Sequence, residues 1–426
     1  MKQSLPLALL CGIAALLAGC AGPSQYTQHT SVSVDTQVAR PGSDHSQMPA
    51  GYPKLGGTTP GSLLSVEDHG NDLPRLRETG ASVSVITYLS QTAQGQVDRV
   101  TALVAIPGGT PPDGGWPLMA YNHGNTGVNY NCGPSLYSDL MNQTLPVESF
   151  LENGYAVVAS DYAGISGDPT SPGLAFLDAK SIGRDVLNGV RATRRVSPDI
   201  SRRWAMAGGS LGGMATWGAN SIVSDYPDLA KDLVAAAAWV PVVNIEGLVD
   251  AASSKTLTLD QRHLYFLTVL QLQRTTHPEI DLRQYMRGTF YDNRDLLTLC
   301  TGPRLNDAIK VLDDADPEDL VPSSPAAARA MKGYFRELQP RAGTTAPMVI
   351  VYGGQDKLVN YLWVEGAIDR SCRAGATIQW EKHPAEGHGD IQAGWVFSWI
   401  DGQFNGDKAT NQCPQGPLVK DGAKAG

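Results

Sequence analysis

Gly208-Gly209-Ser210-Leu211-Gly212 decides the fold, because it fits Gly-x-Ser-x-Gly, the pattern of a nucleophile elbow. Before it, Arg203-Trp204-Ala205-Met206-Ala207 has the look of a short buried strand. After it, Leu211 to Val223 suits a helix, with glycines as its only breakers. An elbow requires that strand–turn–helix setting, since a tight, strained turn lifts the serine hydroxyl above the edge of a sheet. Glycines two positions before and after the serine remove Cβ atoms that would collide where strand and helix nearly touch. The pattern alone is weak in a chain with 46 glycines, but it occurs once here and in the right setting. The bland alternative is a glycine-rich helix start capped by Ser210.

A nucleophilic serine needs a base and a carboxylate to orient that base, and in this architecture they follow in the order Ser, Asp or Glu, His. Pro347 to Tyr352 is an unbroken apolar run, the mark of a buried parallel strand, and it ends in Gly353-Gly354-Gln355-Asp356. That puts the Asp356 carboxylate at the strand's C-terminal end, the edge where open α/β sheets bind ligands. The next strand, Ala376 to Glu381, leads into Gly387-His388-Gly389, whose glycines let a loop carry an imidazole to the same edge. His388 is preferred to His383, which lies closer to the strand and lacks the flexible setting. A helix cap or a turn is the ordinary alternative for Asp356.

Acyl transfer builds negative charge on the carbonyl oxygen, and fixed N–H donors aimed at that oxygen stabilise it. One expected donor is the backbone of Leu211, directly after the nucleophile. Trp116 to Asn122 suits a central strand opening into His123-Gly124-Asn125-Thr126-Gly127. From this loop Asn125 is the preferred second donor, with Thr126 and Gly124 as alternatives. His123 is expected to shape the loop rather than to act as a base.

Ser82 to Ser90 and Val97 to Ile106 alternate apolar and polar residues, as antiparallel strands do. Leu118 to Asn122, Tyr155 to Ser160, Trp204 to Ala207, Leu233 to Val240, Met348 to Tyr352 and Thr377 to Glu381 continue as a mostly parallel series. Helices are expected at Val147 to Glu152, Ala179 to Arg195, Leu211 to Val223, Tyr361 to Ala374 and Ile391 to Ile400. Alternating β and α elements with right-handed crossovers give an α/β three-layer sandwich. The rhythm breaks over about residues 241–346, which are mostly helical in pattern, as at Gln261 to Gln273 and Ala326 to Glu337. They are expected to form a cap inserted after the nucleophile region. Leu264, Tyr265, Phe266, Leu267, Val269 and Leu270 crowd one of its helices and either line an acyl pocket or form the cap's own core. Asp161-Tyr162 either shapes a pocket wall or serves as a turn.

Four stretches resemble the secretory lipase family of α/β-hydrolases, the lipase A type. They are Tyr121 to Gly127, Gly154 to Gly164, Gly208 to Gly213, and the pair Gly353-Gly354-Gln355-Asp356 with Gly387-His388-Gly389. The spacing agrees, with 146 residues from Ser210 to Asp356 and 32 from Asp356 to His388. The resemblance runs from about residue 60 to 415. It implies an α/β-hydrolase with an inserted cap that hydrolyses small-molecule or lipid esters through an acyl-enzyme on Ser210, without a cofactor or metal. Gly209 departs from the pattern, since many lipases carry Tyr or His there, and this favours an esterase over a true lipase. Two rival readings are a serine peptidase of the prolyl-oligopeptidase kind and a non-catalytic surface lipoprotein on a hydrolase scaffold. The N-terminal region is too short for the propeller that such peptidases carry.

Met1-Lys2-Gln3-Ser4 is a short basic start, and Leu5 to Leu17 is an apolar stretch too brief to span a bilayer, as in an export signal. Leu17-Ala18-Gly19-Cys20 resembles a bacterial lipobox, which implies cleavage before Cys20 and acylation of that residue. Several acyl chains suffice for stable anchoring. The expected plan is a signal peptide over 1–19, a disordered tether over 20–60, the hydrolase over 61–415 and a flexible tail over 416–426. The protein is then exported and held on a membrane, on the periplasmic side or the cell surface, with a free secreted form as the alternative. A net charge of −9 with no basic run argues against nucleic acid and against attraction to anionic headgroups. No Cys or His spacing suggests a metal.

Cys132, Cys300, Cys372 and Cys413 remain outside the export segment, an even count that suggests disulfides in an exported chain. Three pairings are possible, with free thiols as the alternative. A Cys132–Cys300 bond would tie the cap to the catalytic face. A Cys372–Cys413 bond would fasten the C-terminus beside the His388 loop, and the lipase A-type resemblance implies the same pairing.

Overall fold

The computed structural model describes residues 51–301, 304–413 and 416–419. The expected signal peptide, Cys20 and most of the tether lie outside the described residues. Strands β1 (Leu63–Asp68), β2 (Ser82–Gln91), β3 (Val97–Ile106), β4 (Trp116–Asn122), β5 (Ala156–Ser160), β6 (Ile200–Gly209), β7 (Leu233–Trp239), β8 (Met348–Gly353) and β9 (Ile378–His383) make one sheet. Their order is β1-β2-β3-β5-β4-β6-β7-β8-β9. β1, β2 and β3 are antiparallel, β3 meets β5 antiparallel, and every pairing from β5 through β9 is parallel.

The continuous apolar runs sit in the middle of the sheet because both faces there are covered. All five residues of β5 and all six of β8 are buried. Alternate side chains feed two cores. Trp204 and Met206 of β6 pack with the helices Ala179–Thr193, Leu211–Ile222 and Tyr361–Arg373 on one face. Ala205 and Ala207 pack with the helices Thr144–Glu152 and Trp395–Asn405 on the other. The result is the expected three-layer α/β sandwich.

The structure departs from the sequence reading in three places. β1 was not foreseen: its residues Leu-Leu-Ser-Val-Glu-Asp mix buried and exposed positions at the sheet's margin, so neither alternation nor an apolar run marks it. β6 begins at Ile200 rather than near Arg203, because half-buried Ser201 and exposed Arg202 and Arg203 hide its first half. The last helix spans Trp395–Asn405 instead of Ile391 to Ile400. Gly387 through Gly394 stay irregular, which leaves the His388 loop longer than expected.

Between β7 and β8 lie the helices Gly247–Ser254, Leu259–Thr275, Leu305–Asp314 and Pro325–Glu337. Leu259–Thr275 opens with a capping box, Thr258 accepting from Gln261 N while the Gln261 side chain accepts from Thr258 N. Its Leu264, Tyr265, Phe266, Leu267, Val269 and Leu270 are all buried, and they join the core cluster under the sheet face. Gln261, Thr268, Gln271 and Thr275 of the same helix are buried beside them.

Both expected disulfides are present, Cys132–Cys300 and Cys372–Cys413. The second lies where Gln412 N donates to Ile378 O at 2.8 Å, so the C-terminal stretch runs along the free edge of β9. Leu418 and Val419, in the stretch expected to be a free tail, donate their N–H groups to the Asp369 carboxylate. At the other end, Lys54 N donates to Arg195 O and the Arg195 guanidinium returns bonds to Lys54 O and Gly56 O. The last residues of the expected tether are thus docked on the domain. Among the described residues no helix is long and apolar enough to cross a membrane.

Candidate active site

Ser210 follows β6 directly, with φ 57° and ψ −120°, a conformation that non-glycine residues rarely adopt. Neighbours hold it there. Its N–H donates to Trp239 O at 3.0 Å, and its carbonyl accepts from Met214 N at 3.0 Å and Val242 N at 3.2 Å. The flanking glycines are steric necessities. A Cβ at Gly208 would stand 2.5 Å from Asn122 O, and one at Gly212 would stand 1.9 Å from the same atom. The end of β4 therefore packs directly into the elbow.

The structure brings Ser210, Asp356 and His388 together. His388 Nε2 lies 2.9 Å from Ser210 Oγ, and His388 Nδ1 lies 2.7 Å from Asp356 Oδ2. The His388 and Asp356 side chains are only 8% and 3% exposed, so their contact is shielded from water. Asp356 Oδ1 also accepts from Leu358 N and Val359 N, each at 2.8 Å. The turn role and the pairing with His388 thus coexist, and the turn aims the second oxygen.

The Asp356 and His388 loops are laced to each other. Gly354 N donates to His383 O at 2.8 Å and Gln355 N to Glu386 O at 2.9 Å. His383, the alternative base, sits between two carboxylates, with Nδ1 2.8 Å from Glu386 and Nε2 3.1 Å from Glu381. Glu386 Oε2 also accepts from Gln392 N at 2.8 Å. This places His383 as a brace within the loop that carries His388.

Leu211 is buried and begins the helix Leu211–Ile222, so its N–H belongs to the positive end of a helix dipole. In the facing loop, the Asn125 side chain accepts from Gly127 N at 3.0 Å and closes a local turn. Thr126 Oγ1 donates to Cys132 O at 2.8 Å, and Thr301 N donates to Thr126 O at 3.0 Å, so the loop is fastened to the chain around the Cys132–Cys300 bond. His123 is 1% exposed, donates through Nδ1–H to Gly124 O at 2.7 Å and stacks on Tyr162 with ring centres 4.4 Å apart. Burial lowers its pKa from 6.5 to about 4, against the opposing pull of the Gly124 carbonyl, so the ring is neutral near pH 7. It is a shaping residue, as expected.

Asp161 is buried, 1% exposed. Its carboxylate accepts from Ser135 N at 2.9 Å and Thr101 Oγ1 at 2.5 Å. Two further residues escaped the sequence reading. Asp185, 1% exposed, accepts from Ala163 N at 2.8 Å and from Ser90 Oγ, pinning the loop that follows β5. An Asp among Ser181 and Asn188 on a helix face gave no signal for that. Trp239 holds Ser210 through its carbonyl and packs its indole at the elbow; as the last residue of an apolar strand it reads as core. Among the described residues no group of His, Cys, Asp and Glu could hold a metal ion.

Residues 138–277 match the secretory lipase family. No curated protein matches the sequence. Among solved structures, the chain is similar to closed-state lipase A of Candida antarctica, at 17% identity and TM-score 0.66, over 87% of this chain and 88% of that one. It is also similar to the rice cell wall degrading esterase LipA from Xanthomonas oryzae, at 17% identity and TM-score 0.60, over 80% of this chain and 96% of that one. At such identity the likeness shows the fold, which is that of the α/β-hydrolases. With the family match it supports a carboxylic ester hydrolase, and the family suggests export and a lipid ester substrate.

Proposed function

We propose that this chain, an α/β-hydrolase with a secretory lipase match over residues 138–277, is a serine carboxylester hydrolase anchored by lipid outside the cytoplasm. The observation that carries the chemistry is the hydrogen-bonded chain Ser210–His388–Asp356, with contacts of 2.9 and 2.7 Å. Ser210 Oγ attacks the ester carbonyl carbon while His388 Nε2 takes its proton. Asp356 accepts the Nδ1–H bond, fixes the tautomer and stabilises the imidazolium that forms. The oxyanion is received by the Leu211 N–H at the helix start and by the backbone of Asn125. The alkoxide leaves with the proton from His388, which gives the acyl ester of Ser210. His388 then deprotonates a water that attacks the acyl carbon, and the collapse returns the proton to Ser210 and releases the acid. These steps need no cofactor.

Gly209 supports an esterase preference within this class. The lipobox stretch Leu17-Ala18-Gly19-Cys20 supports the anchor, which leaves the domain suspended next to its membrane. A fluorophosphonate probe should label Ser210 and nothing else, and p-nitrophenyl esters should be hydrolysed while aminoacyl-nitroanilides are spared. Turnover of the nitroanilides alone would replace the esterase with a peptidase, and absence of labelling would make the scaffold non-catalytic. For the anchor, Cys20→Ser should release the protein from membranes with the specific activity unchanged. Unaltered detergent partitioning of that variant would refute the lipoprotein reading.

A further inference from the structure

Four cations from two distant segments meet around one cleft of about 560 Å³. Lys180, Arg184 and Arg191 come from the helix Ala179–Thr193, and Arg341 comes from the chain after the helix Pro325–Glu337. Thr59, Gln91 and Tyr226 add neutral polar groups, and Asp225 is the one carboxylate in the lining. None of these residues belongs to the candidate active site. In a chain of net charge −9 this is a local excess of positive charge, and no basic run in the sequence announces it.

The cations differ in how far they are already satisfied. Arg191 is bound to Asp228, with Nε 2.8 Å from Oδ2, and stacks on Tyr226 at 4.5 Å. Arg341 is paired with Asp225 at 2.8 Å. Lys180 and Arg184 have no ion-pair partner among the described residues. The nearby Asp178 caps the helix, its Oδ1 accepting from Lys180 N at 3.1 Å and Ser181 N at 3.0 Å, and its charge attracts both cations without a direct ion pair. Arg184 makes only a long bond of 3.5 Å to Thr92 O. Lys180 and Arg184 also stand four residues apart on one helix face, where like charges repel. Asp178 and Asp185 offset part of that repulsion, and an anion seated between the two cations would offset more of it.

We propose that this cleft binds a phosphate ester. Guanidinium and ammonium groups, with a phenol, a threonine hydroxyl and a glutamine amide, supply donors from five separate segments around one space. Such a ring suits the several acceptor oxygens of a tetrahedral phosphate, and the arginine fork favours it further. The volume exceeds a bare phosphate and accommodates the esterified alcohol as well. Thr59 and Pro60, in the wall, follow the segment that Lys54 and Gly56 dock against Arg195. The chemistry is shared by the headgroup of an anionic phospholipid and by a soluble phosphate ester. This assignment does not depend on the hydrolase reading, which soluble-ester turnover reports separately.

The test uses the full chain and the double variant Lys180→Gln/Arg184→Gln. Glycerol 3-phosphate binding is read by calorimetry, and co-sedimentation is compared on phosphatidylglycerol and phosphatidylcholine vesicles. The readout on vesicles is the difference between the two lipids, to which any anchor contributes equally. We expect the double variant to bind glycerol 3-phosphate at least tenfold more weakly, with unchanged thermal midpoint and unchanged turnover of p-nitrophenyl butyrate. Arg184→Lys, which keeps the charge and loses the fork, should bind between wild type and the double variant, and Lys180→Gln alone, at an exposed position, should lose part of the affinity. A phosphatidylglycerol preference lost in the double variant assigns the ligand to a lipid headgroup. Glycerol 3-phosphate binding without that preference assigns it to a soluble ester. Absence of binding in the wild type, or equal behaviour of wild type and both glutamine variants, overturns the proposal.

Discussion

The indole of Trp239 fills the space into which a side chain at residue 209 would project. A Cβ on Gly209 would stand 1.9 Å from Trp239 Nε1 and 2.5 Å from its Cδ1. The two residues are direct register partners between β6 and β7. The missing side chain beside the nucleophile and the tryptophan across from it are therefore one feature. Gly209→Tyr should overpack this site and cost about 1–3 kcal/mol of stability, with a large loss of ester turnover because Ser210 is the next residue. Adding Trp239→Gly should restore much of both. Thermal denaturation and turnover of the single and double variants check this, and a double variant no better than Gly209→Tyr would mean the residues are uncoupled.

If Ser210, Asp356 and His388 act as a unit, Ser210→Ala and His388→Ala should each lower kcat by about four to six orders of magnitude. Asp356→Ala should cost somewhat less. His383→Gln disturbs only the brace of the loop, so its effect should stay below about a hundredfold, the scale of a small misplacement. A His383→Gln variant as inactive as His388→Ala would move the base to His383. A Ser210→Ala enzyme keeping a tenth of the wild-type rate would end the mechanism.

The two disulfides should differ in what they contribute. Cys132–Cys300 closes a separation of 168 residues and Cys372–Cys413 one of 41. Chain entropy gives about 5 kcal/mol for the first and about 4 kcal/mol for the second. Cys132→Ala/Cys300→Ala should then be the more destabilised pair in urea denaturation. Non-reducing peptide mapping should recover these two linked peptides and no crossed ones.

Acid should weaken the loop beside the nucleophile through His123. Its pKa falls from 6.5 to about 4 in the folded protein, because burial disfavours the charged ring. Between those values the unfolded chain binds a proton that the folded chain does not. The stability from this group is therefore fully present above pH 6.5 and is lost as pH falls towards 4. In urea denaturation at pH 7 and pH 4.5, His123→Gln should show a smaller drop than the wild type. An identical drop in both would show that His123 is not responsible.

The parts of the fold that could be read from the sequence were those whose local pattern and tertiary setting agree. β5 and β8 are buried on both faces, so their apolar runs are visible without knowing their neighbours. The elbow shows itself because Gly208 and Gly212 are required by contact with Asn122 O, and Gly387-His388-Gly389 shows itself because a mobile-looking loop follows a strand. β1 was hidden because an edge strand tolerates Ser and Glu, and the first half of β6 because it runs out beyond its pairing with β7, where Arg202 and Arg203 are exposed. Asp185 and Trp239 were hidden for a different reason. Their roles come from partners far away in sequence, Ser90 and Ala163 for the first and Gly209 for the second, and a one-dimensional pattern does not record such partners. The cationic cleft is the same case, since Lys180 and Arg341 become neighbours only through folding.

The insertion between β7 and β8 is joined to the sheet at both ends of its sequence, and the Cys132–Cys300 bond joins it a third time in the middle. The bond is not the insertion's only hold: Thr258 Oγ1 and Gln261 Nε2 donate to Lys357 O and Leu358 O, just beyond Asp356. Thr301 N donates to Thr126 O beside the disulfide itself. Reducing Cys132–Cys300 therefore bears first on the loop around Thr126, while the insertion stays seated through its buried side chains and these bonds.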